Sequence, residues 1–370
     1  MKRILYLIES DDPGGAENVM LALADHFRHT GHLVTGCLKR GWIYRQLAAR
    51  GFAPKVIPAG RGAIDLKLLH HLVKLIKAEG IDLIHSHLFD INVYSSIAAK
   101  ITGVPHLCTE HGDVHHHSKS SRKNFFKARI LARCSDKIIF VSRFTKRAFS
   151  MLCKVPEQKS AVIYNGINTD NFNREADIEE KKAALGIGRG DPVVGSVGSL
   201  YPVKGQTYII KAARLVLQTI PGVTFLIIGG GELEDKLKEE SRRLDIEDRI
   251  RFTGFREDVH ELLKTMDVFV LPSLSEGMPL SLIEAMASGL PAVASDVGGI
   301  GEVIDDGISG FVIPPADPAA FAAKILYLLQ NPSSACEMGR RAREKVNERF
   351  NLRTMVENYE RIYLELLAGK

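Results

Sequence analysis

Short apolar runs of three to six residues recur along the whole chain, each followed by a stretch of amphipathic sequence long enough for a helix. A strand buried on both faces reads as an unbroken apolar run, so this alternation belongs to parallel sheets covered by helices on both sides. In the first half, strands are expected at 4–8, 33–38, 81–85, 106–108, 137–141 and 161–164; in the second, at 193–197, 224–228, 250–252, 268–271, 292–294 and 311–313. Helices fit between them. Residues 16–29 place Val19, Met20, Leu23 and Phe27 on one face, and 68–77 repeat the pattern until Gly80 stops it. Further helices are expected at 206–218, 232–243, 259–265 and 279–287, and the chain turns helical after Asp317. The polar, turn-rich stretch 166–174, with the charged run to Lys182, reads as a connection between domains. Two doubly wound α/β domains follow, which suits a length of 370 residues.

Composition narrows the class. Hydrophobic content of 45% and charged content of 25% are those of a globular protein and exclude long disorder. The net charge of +5 is unevenly spread: residues 1–170 hold 25 Lys and Arg against 14 Asp and Glu, and the remainder hold 24 against 30. A basic first half suits an anionic acceptor or a membrane surface as well as plain solubility. Nucleic acid is not expected as a partner, because neither zinc-finger spacing nor an RNP-like aromatic motif occurs. Five cysteines without a Cys-x-x-Cys pair read as free thiols. The apolar run before Glu9 is too short for a signal-peptide core, and no stretch approaches the roughly 20 apolar residues of a membrane span. The expected location is the cytoplasm.

Several strand-to-helix junctions carry residues suited to chemistry, and such junctions are where open α/β sheets bind ligands. Glu276 and Glu284 lie in Ser273-Leu-Ser-Glu276-Gly-Met-Pro-Leu-Ser-Leu-Ile-Glu284, one carboxylate on the loop and the other two turns into the helix. Carboxylates accept hydrogen bonds from sugar hydroxyls, while a helix start offers N–H groups and positive dipole to a diphosphate. Asp12-Pro-Gly14-Gly15-Ala-Glu17 forms a glycine-rich turn before the first helix. Lys204, in Val197-Gly-Ser-Leu-Tyr-Pro-Val-Lys204-Gly205, is a point charge suited to a leaving diphosphate, and the order of a Walker A loop is absent. Ile228-Gly-Gly-Gly231-Glu lacks the dinucleotide fingerprint and reads mainly as a tight turn. His111, in Thr109-Glu110-His111-Gly112, can donate to a hydroxyl near neutral pH. His115, His116 and His117 follow, but adjacent histidines diverge and no metal site is expected. The stretch 119–133 interleaves basic residues with Phe125, Phe126, Ile130 and Leu131; it fits an interfacial helix at an anionic membrane or acceptor, and equally a helix that covers the sheet.

Taken in order, these segments resemble the retaining glycosyltransferases of family 4. The blocks are Gly14-Gly15-Ala16-Glu17, Glu110-His111-Gly112, Tyr164-Asn165-Gly166-Ile167, Val197-Gly198 through Lys204-Gly205, Glu276 through Gly289-Leu-Pro291, Asp296-Val-Gly298-Gly299 and Asp306-Gly-Ile-Ser-Gly310. The resemblance implies a GT-B fold, two Rossmann-like domains facing across a cleft. Residues 1–168 would bind the acceptor, 169–349 the nucleotide-sugar donor, and a final helix at about 350–370 would pack back on the first domain. It implies that Glu284 holds the ribose and Glu276 the transferred sugar, with the amides of Gly277, Met278, Pro279 and Leu280 around them contributing what donors they have. Lys204 would bind the diphosphate, Gly15 would approach it from the other domain, His111 would face sugar and acceptor, and the loop at Gly254, Phe255 and Arg256 would lie against the base. His111, Lys204 and Glu276 are the catalytic candidates, and no metal or cofactor is implied. One departure stands out: Ser199 occupies the place where the family usually carries an arginine. The expected activity is metal-independent, retaining transfer of a hexose, from a UDP-sugar for preference, to a glycan or lipid-linked acceptor of a cell-surface polysaccharide or lipopolysaccharide, at the inner membrane face. The alternatives are a sugar-nucleotide epimerase or hydrolase of the same fold and a non-catalytic nucleotide-sugar-binding protein.

Overall fold

The computed structural model describes residues 2–10, 12–28, 32–60, 65–112, 122–173 and 177–369. The chain forms two compact units, one made of residues 1–165 with 352–370 and the other of 166–351. The first is built on seven strands: β1 (Arg3–Ile8), β2 (His32–Cys37), β3 (Lys55–Val56), β4 (Leu83–His87), β5 (His106–Glu110), β6 (Lys137–Phe140) and β7 (Ser160–Val162). They lie in the order β3-β2-β1-β4-β5-β6-β7 and every pairing is parallel. The chain runs outward from β1 to one edge, then returns to lay β4 on the other side of β1. That reversal opens a crevice beyond the carboxyl ends of β1 and β4, whose last residues, Ile8 and His87, are partners in the ladder.

The second unit repeats the plan with six parallel strands: β8 (Val193–Val197), β9 (Thr224–Ile228), β10 (Ile250–Phe252), β11 (Val268–Leu271), β12 (Ala292–Ser295) and β13 (Phe311–Ile313). Their order is β10-β9-β8-β11-β12-β13, so the reversal falls between β8 and β11. Central strands here are buried throughout, which is why they stand out as apolar runs. Phe225, Ile209, Ile210, Val270 and Phe321 are at the heart of this unit's core.

Two departures from the expected elements bear on the site. Asp82 is tied to Arg3 both through its backbone N–H and through its carboxylate before the ladder begins, so β4 starts at Leu83 and runs two residues further than expected. The extension carries His87 into the sheet, and both it and His85 are fully buried. The helix Phe89–Thr102 fills the interval between β4 and β5 but was not delimited from sequence, because its inward face mixes Asn92, Ser95 and Ser96 with Ile91, Val93, Ala98 and Ala99. Helices Trp42–Ala49 and Arg143–Leu152, and the short strand β3, add to those read from sequence.

The helix Leu352–Ala368 belongs to the first unit and is held there by a run of buried hydroxyls and rings. Tyr363 Oη lies 2.7 Å from Tyr6 Oη and 2.7 Å from His85 Nδ1. His85 Nε2 is 2.8 Å from Thr109 Oγ1, which is 3.0 Å from Tyr359 Oη. Each member satisfies a neighbour that has no access to water, so deleting one leaves its partners buried and unpaired. Tyr363→Phe is accordingly expected to destabilise the first unit by about 1–3 kcal/mol, read as a lower urea midpoint of its unfolding, whereas Phe at the exposed Tyr327 should leave that midpoint in place.

Candidate active site

In the second unit the site is assembled where β8 and β11 end. After β8 the chain passes through Gly198, Ser199 and Leu200, and this loop rests on the glycines that follow β9: Gly198 N–H donates to Ile228 and Leu200 N–H to Gly230. A side chain at Gly229 would overlap the Gly198 carbonyl oxygen. The glycine run is therefore a close-approach seat for the Ser199 loop, which is more than the tight turn read from sequence. The same loop continues to Lys204, where Gly205, at φ 64°, packs on the Pro272 carbonyl with no room for a Cβ. Leu274 N–H donates to Val203 O, so the loops after β8 and β11 are stitched together.

That stitching brings Lys204 Nζ to 2.6 Å from Glu276 Oε1. Ser273 Oγ donates to the same carboxylate oxygen at 2.7 Å. The Glu276 carbonyl accepts from Gly299 N–H at 3.3 Å, and a Cβ at Gly298 would fall on that carbonyl. Glu276 is thus braced by three segments and buried. Sequence reasoning missed Ser273; the signal was a hydroxyl three residues before a loop carboxylate, two residues past the end of β11.

Gly277, Met278 and Pro279 lead into the helix Leu280–Ala287, whose first turn has no side-chain cap. Met278 and Leu280 are buried. The first-turn N–H groups together with the dipole suit an anion. Glu284 stands on the same helix, and burial pushes its carboxyl up to about 7. Arg256 is occupied elsewhere: its guanidinium grips Asp258 with two bonds of 2.7 Å, and this pairing, joined by Lys181, holds the Asp258 carboxyl well below the usual range. Arg256 is thus paired with a carboxylate, as Lys204 is with Glu276.

In the first unit, Gly14 is extended and Gly15 opens the helix Gly15–Phe27. A Cβ at Gly14 would overlap the Glu17 carboxylate, which is itself buried and raised in pKa by that burial. Glu9, just past β1, accepts from Ile91 N–H at 2.7 Å; burial, reinforced by Asp90, raises it to about 7. Glu110 ends β5, accepts from Asn92 Nδ2 at 2.8 Å, and is pushed up to about 8, mainly by burial. His111 Nε2 lies 2.9 Å from His87 Nδ1, and burial lowers the His111 pKa to about 3. The polar groups of this unit therefore gather at the carboxyl ends of β1, β4 and β5. Among the described residues no group of three or more His, Cys, Asp or Glu side chains is arranged to hold a metal ion. His115, His116, His117 and residues 119–121 lie outside the described residues.

Similarity to known proteins shows the family of the chain. Residues 177–345 match the model for "Glycosyl transferases group 1", and residues 13–171 match that for "Glycosyltransferase Family 4". A galactosyltransferase of Escherichia coli, described as UDP-Gal:alpha-D-GlcNAc-diphosphoundecaprenol alpha-1,3-galactosyltransferase, is 31% identical over 316 residues, 83% of this chain and 81% of its own. The chain belongs to the family 4 glycosyltransferases. The N-acetyl-alpha-D-glucosaminyl L-malate synthase of Bacillus anthracis is 29% identical over 308 residues, 82% of this chain and 80% of its own. Among solved structures, Anabaena HepE in complex with UDP-glucose matches with a TM-score of 0.90 at 26% identity, covering 99% of this chain and 100% of that one. The α/β architecture of this glycosyltransferase is therefore the GT-B fold.

The raised carboxyls of the first unit have a measurable consequence. A carboxylic acid whose folded pKa is about 8 keeps its proton between the unfolded value and 8, so its contribution to stability declines as pH rises through that window. Glu110→Gln is expected to stabilise the glycosyltransferase at pH 8 by on the order of a few kcal/mol, read as a higher melting temperature, and to do much less at pH 5. An equal shift at both pH values would contradict the assignment.

Proposed function

We propose that this glycosyltransferase transfers a hexose from a nucleotide-diphosphate sugar, UDP-sugar for preference, with retention of anomeric configuration, to a glycan or lipid-linked acceptor in the synthesis of a cell-surface polysaccharide or lipopolysaccharide. The observation that carries this reading is the Lys204–Glu276 pair beside the uncapped helix that holds Glu284. Lys204 and Glu276 stand on two stitched loops and Glu284 on the helix that follows, which supports reading them as the cation for the diphosphate and the carboxylates for sugar and ribose. The preference for UDP and for a lipid-linked acceptor draws support from the E. coli relative, named for UDP-Gal and a diphosphoundecaprenol acceptor, and from HepE, solved with UDP-glucose.

In the reaction, the bond from the anomeric carbon to the β-phosphate oxygen breaks, and the acceptor hydroxyl oxygen bonds to the same face of that carbon. The acceptor proton passes to the departing phosphate. Lys204 neutralises the charge that grows on this phosphate, aided by backbone N–H groups at the helix start, so no metal ion is required. Glu276 leaves its pairing with Lys204 to hold the sugar hydroxyls and does not attack. With Ser199 where an arginine is usual, Lys204 carries most of the neutralisation.

Contact with an anionic membrane at the cytoplasmic face belongs to the same proposal. No helix among the described residues is long and apolar enough to cross a membrane. The helix Arg122–Cys134 instead exposes Phe125 and Phe126 among Arg122, Lys123, Lys127 and Arg129. Co-sedimentation with anionic vesicles, weakened by Phe126→Ser and absent with neutral ones, is the expected result.

Donor binding is tested by thermal shift with UDP-, GDP- and ADP-sugars, where the UDP compounds should stabilise most. Glu284→Ala should weaken that binding by about 10- to 100-fold, the worth of a hydrogen bond to a charged group. Since the Glu284 carboxyl titrates near 7, donor affinity should fall as pH drops from 8 to 6, and the part due to this residue should vanish in Glu284→Gln. Transfer should persist in a chelator; its loss with the fold intact would refute the metal-free account. Incubation with donor alone separates the readings: free sugar or an epimerised donor as the main product would favour a hydrolase or epimerase.

A further inference from the structure

His87 ends β4 with its ring wholly buried, its Nδ1 2.9 Å from His111 Nε2. Its ring centroid is 4.2 Å from that of His85 and 6.4 Å from that of Tyr6. Its other nitrogen, Nε2, has no hydrogen-bond partner among the described residues. Burial keeps both His87 and His111 neutral at physiological pH, so each ring carries one proton and exactly one proton lies between the facing nitrogens. There are two ways to place it. If His111 Nε2–H donates, the His87 proton must sit on Nε2, a buried N–H with nothing to accept it. If His87 Nδ1–H donates, Nε2 is left as a bare lone pair, and the His111 proton moves to Nδ1. Orphaned buried N–H groups are the rarer and costlier defect.

We propose that His87 is a positioning residue: by donating from Nδ1 it fixes His111 as the neutral tautomer protonated on Nδ1, so that His111 meets its ligand as a hydrogen-bond donor through that nitrogen. This rests on the reading that His111 faces the transferred sugar and acceptor. A donor there recognises a hydroxyl oxygen and cannot take the acceptor proton through Nδ1, which leaves that proton to the departing phosphate. The two histidines thus select for a sugar with an intact hydroxyl at the contacted position.

The test is the long-range 1H–15N spectrum of the full chain with 15N-labelled imidazoles, His111 being assigned by its disappearance in His111→Phe. A pyrrole-type Nδ1 and a pyridine-type Nε2 are expected for His111; the reverse tautomer, or an imidazolium at pH 7, overturns the inference by itself. His87→Asn places an amide N–H close to where Nδ1–H was, and should keep the tautomer with most of kcat. His87→Asp, at a pH high enough to ionise the buried carboxyl, offers only an acceptor, should draw a proton onto His111 Nε2, and should lower kcat by about tenfold, the worth of one hydrogen bond, with the dissociation constant for UDP unchanged. Equal losses in Asn and Asp variants that both fold, with no change of tautomer, would also overturn it. Undiminished transfer by His111→Phe would instead overturn the sugar-facing role of His111, and with it the functional part assigned to His87, whatever the spectrum shows.

Discussion

All strands of each sheet point the same way, and this single constraint organises what the chain can do. Parallel pairing forces every connection to travel the length of a strand through a crossover, so the loops that follow the strands all collect at one end of a sheet. In the second unit that end receives Ser199, Lys204, Ser273 and Glu276; in the first it receives Glu9, Gly14, His87, Glu110 and His111. The helices that cover the faces keep water from the sheet, and they also bury the bases of those loops. The carboxyls there become reluctant to ionise for the same reason that the strands are stable.

The electrostatics of the two units differ in kind. In the second, charge is mostly met by charge, Lys204 with Glu276 and both Arg256 and Lys181 with Asp258, the buried Glu284 being the exception. In the first, the titratable groups near the strand ends are mostly met by neutral partners, Glu110 by Asn92, His111 by His87 and His85 by Thr109 and Tyr363. Burial without a counter-charge shifts pKa values toward neutrality, so carboxyls rise and imidazoles fall. A site that keeps its imidazoles neutral serves as a hydrogen-bonding surface, while one with a cation held by a carboxylate is ready to exchange that carboxylate for phosphate.

Much of this was legible in the sequence where burial writes an apolar run. The strands of the second unit stand almost where the apolar runs predict them, because Phe225, Ile227 and Val270 face apolar neighbours on both sides. Legibility failed where buried side chains are polar. Ser86 and His87 extend a strand that the apolar pattern ends at His85, and Asn92, Ser95 and Ser96 interrupt the apolar face that Ile91, Ala98 and Ala99 give the helix Phe89–Thr102. The glutamates and Lys204 could be picked out from their place at strand-to-helix junctions. Their brace could not, since the stitching of Leu274 to Val203 and the fit of Gly298 under Glu276 join residues far apart in sequence.

The route of the chain through the first unit also sets an order of events in its making. A nascent chain emerges from its amino end, and domains generally fold as they appear. Tyr6, however, waits for a hydroxyl 357 residues downstream, and the whole second unit is synthesised in the interval. During that time the first sheet exposes the seat of the helix Leu352–Ala368, with Tyr6, His85 and Thr109 still solvated by water. The second unit, whose residues are contiguous, can close while the older one is still open. Residues made first thus include some, such as Tyr6, whose native partner is among the last to be made.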